Sequence, residues 1–179
     1  MTYRFVPMTR AYAQVLVQEW RYEGEYAVYD YRHEASHILD PRGWGIGVFA
    51  VLNQAGELVG ELSCEFIDEN DRYTEYEDYD DEGLINSRQL WIGFGLRPDL
   101  TGQGLGRDFV SACVAFAIEH CRYRGEYVQL GVAAFNRRAI KVYEAAGFEV
   151  FDHTVGEIAG KRLECLHMRK RIRPDAAAP

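Results

Sequence analysis

Apolar residues along this chain come in short alternating runs, unbroken runs or helically spaced sets, and their order predicts the elements. Arg4-Phe5-Val6-Pro7 reads as a short first strand. Thr9 caps a helix with apolar positions at Tyr12, Val15 and Leu16. An aromatic stretch follows, Trp20, Tyr22, Tyr26, Tyr29 and Tyr31, interrupted by Gly24. It is expected to continue into a second short helix that ends before Asp40-Pro41-Arg42-Gly43. Val48–Leu52 and Leu58–Phe66 flank the turn Asn53-Gln54-Ala55-Gly56 as a hairpin. Gln89–Leu96 is a central strand, ended by Arg97-Pro98-Asp99. From Gly106, residues Phe109, Cys113, Phe116 and His120 recur at helical spacing, with Gly125 as the expected stop. Tyr127–Val132 is another strand, Asn136 caps a further helix closed by Gly147, and Phe148–Phe151 with Arg162–Met168 suggest a last hairpin. No repeat or linker interrupts this order. The reading is one α/β domain over residues 1–172, with residues 173–179 as a flexible tail.

Composition narrows the class. A chain of 179 residues, 47% hydrophobic and 27% charged, can bury its own core and is neither disordered nor collagen-like. No apolar run approaches the ~20 residues of a membrane span, and Met1-Thr2-Tyr3-Arg4 does not open a signal peptide. Cys64, Cys113, Cys121 and Cys165 form no CxxC and sit among apolar neighbours, as free thiols in a reducing cytoplasm do. The segment Asp68 to Glu82 holds nine acids against Arg72, and so carries −8, the net charge of the whole chain. The remainder is electroneutral and offers no basic surface for nucleic acid. The segment reads as a solvated acidic loop whose field would favour cationic partners. Its likeness to a calcium loop fails at Tyr73, where a glycine is required.

The chemistry concentrates where a strand runs into Leu96-Arg97-Pro98-Asp99-Leu100-Thr101-Gly102-Gln103-Gly104-Leu105-Gly106-Arg107 and then a helix. Three glycines in five positions let the backbone approach a ligand and aim N–H groups at it, and the helix adds its positive end, which suits a pyrophosphate. The turn is no P-loop, lacking Gly-Lys-Ser/Thr, and no dinucleotide fingerprint, since Arg107 replaces the last glycine. A tight strand-to-helix turn without a ligand would use similar residues. Further on, Asn136-Arg137-Arg138-Ala139-Ile140-Lys141-Val142-Tyr143-Glu144-Ala145-Ala146-Gly147-Phe148 opens on a side-chain cap and sets Tyr143 two turns later on the same side.

Together these two segments resemble the GNAT acetyltransferase superfamily. That family has a splayed, bulged strand, a phosphate turn Arg/Gln-x-x-Gly-x-Gly/Ala and a helix. A parallel strand and the motif Asn-x-x-Ala-x-x-x-Tyr-x-x-x-Gly-Phe follow. The second motif matches throughout, and the element order matches over nearly the whole chain. The resemblance implies a mixed, largely antiparallel twisted sheet of about six to seven strands with flanking helices, splayed at its central parallel pair. It implies an N-acetyltransferase that moves acetyl from acetyl-CoA, as co-substrate and without a metal, to a primary amine of a small molecule or peptide by direct attack. By position, Leu96 would pair with pantetheine. Thr101, Gly102, Gln103, Gly104, Leu105, Gly106 and Arg107 would form the pyrophosphate turn, and Asn136 would contact pantetheine or simply cap its helix. Tyr143 would protonate the leaving thiolate, or else be a core tyrosine. Tyr26 and Tyr29 fall in the stretch that walls the acceptor pocket.

Two departures stand out. Thr101 occupies the Arg/Gln position, so one side-chain phosphate contact is missing. Leu90 occupies the position of the family's best-known catalytic carboxylate, which leaves Glu25, Glu65, Glu82 and His153 as unranked candidates for the base. The acceptor, cationic or not, is not legible, and neither is assembly; a homodimer stays open. A non-catalytic acyl-CoA sensor of the same fold is the alternative. A second alternative comes from His33-Glu34-Ala35-Ser36-His37, which spells the zinc-hydrolase string H-E-x-x-H. Its polar surroundings, the stop at Asp40-Pro41 and the lack of a suitably spaced third ligand argue against a zinc site.

Overall fold

The computed structural model describes residues 2–172. Its strands are β1 (Arg4–Pro7), β2 (Val48–Leu52), β3 (Leu58–Ile67), β4 (Gln89–Leu96), β5 (Tyr127–Ala133), β6 (Glu149–Ile158) and β7 (Lys161–Arg171). They form one sheet in the order β1-β2-β3-β4-β5-β7-β6, antiparallel throughout except for the parallel pair β4–β5. The helices are α1 (Arg10–Glu19), α2 (Ala35–Ile38), α3 (Glu82–Asn86), α4 (Gly106–His120) and α5 (Arg137–Ala145). The expected splayed, largely antiparallel sheet with flanking helices is therefore present, with seven strands.

Each sheet face carries its own core, which is why the strand sequences mix alternation with continuous apolar runs. On one face α4 and α5 pack Phe109, Cys113, Val114 and Ile140 onto Leu62, Leu90, Ile92 and Leu130. On the other, α1 and α2 pack Leu16, Trp20 and Ile38 with Val48 and Ala50. All five residues of β2 are buried, as expected for a strand covered on both sides. No helix among the described residues is long and apolar enough to cross a membrane. All four cysteines are free thiols.

Several expected boundaries shift for local reasons. The predicted second helix is a series of 3₁₀ turns, Gly24–Tyr29 and Tyr31–His33, followed by a single α turn in α2. Helix α4 stops at His120 rather than near Gly125, because Arg122 takes the left-handed conformation (φ 49°) and its guanidinium pairs with Glu82 at 2.6 Å. The last hairpin is much longer than predicted, with Ala159 and Gly160 both at positive φ in its turn. The acidic segment is largely solvated, as expected, and is also pinned. Asp68 pairs with Arg88, Asp81 caps α3, and the Tyr79 hydroxyl donates to the Cys64 carbonyl at 3.1 Å. The stretch expected as a flexible tail, residues 173–179, lies outside the described residues.

Candidate active site

The sheet opens at its middle. β4 and β5 pair at Leu90–Val128 and Trp91–Gln129 and then part, while the β3–β4 register runs unbroken from Ile67–Gln89 to Gly60–Leu96. The splay is therefore made on the β5 side, without the bulge that the resemblance implies for the central strand. The Arg97 N–H donates to the Val59 carbonyl at 2.9 Å. Antiparallel alternation then turns the backbone groups of Phe94 and Leu96 away from β3 and into the gap. The gap opens into a cavity of about 630 Å³ that continues under the α1–α2 connection.

One end of the cavity is the glycine turn. Gly102 and Gly104 sit at φ 78° and 79°, and a Cβ on either would meet nothing within 4 Å. The backbone there is exposed to the cavity and its conformation excludes most side chains. The Thr101 hydroxyl donates to the Pro98 carbonyl at 2.7 Å, and the Gln103 amide donates to the Asp99 carbonyl at 2.6 Å. Both side chains are thus spent on the shape of the turn. Among the described residues no side chain caps α4, so its first N–H groups are left for a ligand. Thr101, Gly102, Gly104, Gly106 and Arg107 line the cavity, whereas Gln103 and Leu105 support the turn from outside the wall. Gly106 fits closely under Val142 of α5, 3.0 Å from where a Cβ would be.

Helix α5 supplies the next part of the wall. Asn136 caps it, its side chain accepting from the Ala139 N–H at 3.1 Å, and its amide lies beside the Tyr29 hydroxyl. Tyr143 is held edge-on against Phe94, with ring centroids 5.6 Å apart, and tilted on Phe148. It lines the cavity, and burial pushes its phenol well above the ordinary tyrosine range, so that it carries its proton throughout neutral pH.

The opposite wall is aromatic and acidic. Tyr26 packs on Phe135 beneath the Arg138 guanidinium, which lies 4.5 Å from the ring centre. The Tyr29 hydroxyl accepts from the Ala133 N–H at 3.2 Å, which ties the wall to the end of β5. Tyr22 donates to the Leu96 carbonyl at 2.9 Å, so of the backbone groups expected to meet pantetheine at Leu96, the carbonyl already has a partner. Tyr31 donates at 3.0 Å to Oε2 of Glu61, which is 3% exposed and whose Oε1 is buried without a hydrogen bond. Desolvation, chiefly, raises the Glu61 carboxyl to about 8; Tyr31 and Ser63 oppose that rise, while Glu34 and Glu65 add to it. Opposite Glu61 lies Gly95, where a Cβ would fall 2.1 Å from the Tyr31 oxygen and 3.1 Å from that of Tyr22.

A carboxyl held neutral by the fold has a measurable signature. Glu61 titrates near 4.5 when unfolded and about 8 when folded. Its contribution to stability is complete below 4.5, erodes as pH rises, and is gone above about 8. Glu61→Gln should therefore match the parent's melting temperature near pH 4 and exceed it at pH 9, by on the order of 4 kcal/mol of stability. Equal melting temperatures at both pH values would show that Glu61 is not desolvated as described.

The remaining candidates fall outside this wall or at its margin. His33 lies in a 3₁₀ turn and Glu34 is the N-cap of α2, so the H-E-x-x-H string does not share one helix face; His37 lines the cavity, its Nε2 buried and without a partner. Glu25 and His153 are exposed, and Glu82 is paired with Arg122. Glu65 is half-buried on the same face of β3 as Glu61, but does not line the cavity. Sequence reasoning passed over Glu61, and it named Tyr22 and Tyr31 only as part of the aromatic stretch and Glu34 only in the H-E-x-x-H string. The available signal was Gly93-Phe94-Gly95, two glycines on one face of a strand, which mark a close approach from that side.

Residues 9–148 match the model of the acetyltransferase (GNAT) family. Over 116 residues the chain is 30% identical to mycothiol acetyltransferase of Propionibacterium freudenreichii, an alignment that covers 64% of this chain and 31% of that protein. It thus spans about a third of that relative's length. Among solved structures, a chimera of the spermidine N-acetyltransferase of Vibrio cholerae with hSSAT superposes with a TM-score of 0.64 at 16% identity, over 96% of both chains. A putative phosphinothricin N-acetyltransferase superposes with a TM-score of 0.61 at 12% identity, over 97% of this chain and all of that one. At such identities the structures speak for the fold; the family match over most of the sequence, joined to the splayed sheet, the glycine turn and the Asn136–Phe148 helix, shows that the chain belongs to the GNAT acetyltransferase family.

Proposed function

We propose that the protein is a cytoplasmic N-acetyltransferase that binds acetyl-CoA through a domain spanning residues 1–172 and passes the acetyl group directly to a primary amine. The observation that supports this most is the continuity of the cavity. It joins an open turn of backbone donors at Gly102–Arg107, the strand gap at Leu96, the phenol of Tyr143 and an acidic aromatic chamber. The turn would hold the pyrophosphate, the gap the pantetheine, and the chamber the acceptor. Glu34 gives the chamber a field that favours a cationic amine, and Glu61 an acceptor for its N–H. Such an acceptor would be a small amine or a peptide N-terminus, since the chamber is lined by short polar and flat aromatic groups. Spermidine N-acetyltransferases share the fold, which makes polyamines a sensible first choice.

In the transfer, the neutral amine attacks the thioester carbonyl carbon, a C–N bond forms, and the C–S bond breaks as Tyr143 donates its proton to the departing sulfur. A panel of polyamines, aminoglycosides, amino acids and peptide N-termini, with release of free CoA thiol as the readout, tests the reading. Thiol release with none of them, by protein that binds acetyl-CoA, would favour the acyl-CoA sensor. That alternative draws on the Thr101 hydroxyl being spent on Pro98 and the Leu96 carbonyl on Tyr22.

Tyr26 allows a separate check of the acceptor side. One face of its ring is taken by Arg138, but the ring still lines the chamber, and its contact with an acceptor's organic body is worth about 1 kcal/mol. Tyr26→Ala should raise the acceptor KM roughly fivefold and leave acetyl-CoA affinity nearly unchanged, and Tyr29→Ala should act in the same direction. Unchanged acceptor KM in both variants would reduce these rings to packing against Phe135.

A further inference from the structure

We propose that Glu61 is the general base of the transfer, taking the proton from the acceptor's ammonium group before attack. The inference rests on the acetyl-transfer reading above and supplies what that reading lacks, because Leu90 cannot serve and no sequence candidate lies in the cavity wall. Glu61 is a carboxyl group in that wall, 97% buried, with one oxygen fixed by Tyr31 and the other making no hydrogen bond, the Ser63 hydroxyl being turned to the Gly93 carbonyl. Protonated while the chamber is empty, Glu61 becomes the carboxylate when a cationic amine enters, and the amine's N–H gives Oε1 the donor it lacks.

Its position is also right. Glu61 pairs with Gly95 across the β3–β4 ladder, and the absence of a side chain at Gly95 leaves the room in which the Tyr31 and Tyr22 hydroxyls meet. The neighbouring residue, Phe94, carries Tyr143 on the opposite face of the strand. Base and acid therefore flank the same two residues of β4 at the point where the sheet opens. The groups that act on Glu61 from its own face are Tyr31 and Tyr22 from the α1–α2 connection, Glu34 at the start of α2, Ser63 and Glu65 along β3, and Tyr76 beyond it; Cys64 and Cys113 lie across the sheet, and His37 acts on Glu65. None of them is a fixed cation, so the carboxylate has no permanent partner to compete with the substrate.

The protons balance as follows. Glu61 accepts one proton from the ammonium and later releases it to water. The nitrogen, once bonded to the acyl carbon, sheds a second, which restores the phenol that Tyr143 spent on the thiolate. The products are an N-acetyl amine, CoA thiol and one proton.

The test compares Glu61→Gln with the parent, using spermidine and benzylamine as amines protonated at neutral pH and aniline as one that is neutral there. With the protonated amines kcat should fall about a hundredfold, with acetyl-CoA affinity by calorimetry unchanged. With aniline the loss should be within about threefold, because no proton has to be removed before attack. Equal losses on all three amines, or parental rates on all, would remove Glu61 from proton transfer. Tyr31→Phe provides a second measurement. Losing the O–H that stabilises the carboxylate should move the acid limb of kcat/KM for spermidine to higher pH, and an unmoved limb would count against the assignment. If the parent binds acetyl-CoA yet releases thiol with none of these amines and none of the wider panel, the transfer reading falls, and the base with it.

Discussion

Tyr143→Phe should bind acetyl-CoA like the parent and lose at least tenfold in kcat, about 1.4 kcal/mol of transition-state stabilisation. The substitution removes one oxygen and nothing else. The ring stays edge-on to Phe94 and tilted on Phe148, contacts that do not involve the hydroxyl. A thiolate is a modest base, so a positioned acid gains less with it than with an alkoxide. General acids nevertheless contribute ~10²–10⁴-fold, and burial keeps this phenol protonated wherever the reaction would run. The proper measurement is single-turnover acetyl transfer, in which product release cannot mask the step. A folded Tyr143→Phe protein with the parental single-turnover rate would return Tyr143 to the role of a core aromatic.

Gly104→Val should abolish most acetyl-CoA binding, by about a hundredfold in Kd. Two effects act together. Gly104 lies at φ 79°, where a β-branched residue is strained, so the turn must change shape. The space that a Cβ would occupy is otherwise empty of protein, so any side chain there projects where a phosphate would approach the backbone. Charge-assisted hydrogen bonds are worth about 1.5–3 kcal/mol each, and the loss of one or two accounts for the expected change. Calorimetry with CoA measures it, and the far-ultraviolet spectrum verifies the fold. Parental affinity in a folded variant would mean that the phosphates lie elsewhere.

The order of the elements could be read along the chain, because periodicity and caps are local. Thr9 and Asn136 cap the helices they were expected to cap, and the strands Arg4–Pro7, Val48–Leu52 and Gln89–Leu96 stand where their apolar runs placed them. The sequence also singled out the glycine turn and the Asn136–Phe148 helix, whose residue types are tied to backbone conformation and to helix spacing.

Features that depend on which surfaces meet emerged only in the folded chain. Glu61 reads in the chain as an ordinary polar position of a hairpin strand. Only the covering of that face by the α1–α2 connection buries it, raises its affinity for a proton and sets it beside Gly95. The H-E-x-x-H string needs a continuous helix, and packing of Tyr31 and Ile38 into the core breaks the segment into separate turns instead. The acidic run is largely solvated, as its composition suggests, and what the chain did not show is that Tyr79 anchors it to β3 through a long-range hydrogen bond. A carboxylate's chemistry follows from its solvent and its neighbours, and neither is written in the residues adjacent to it along the chain.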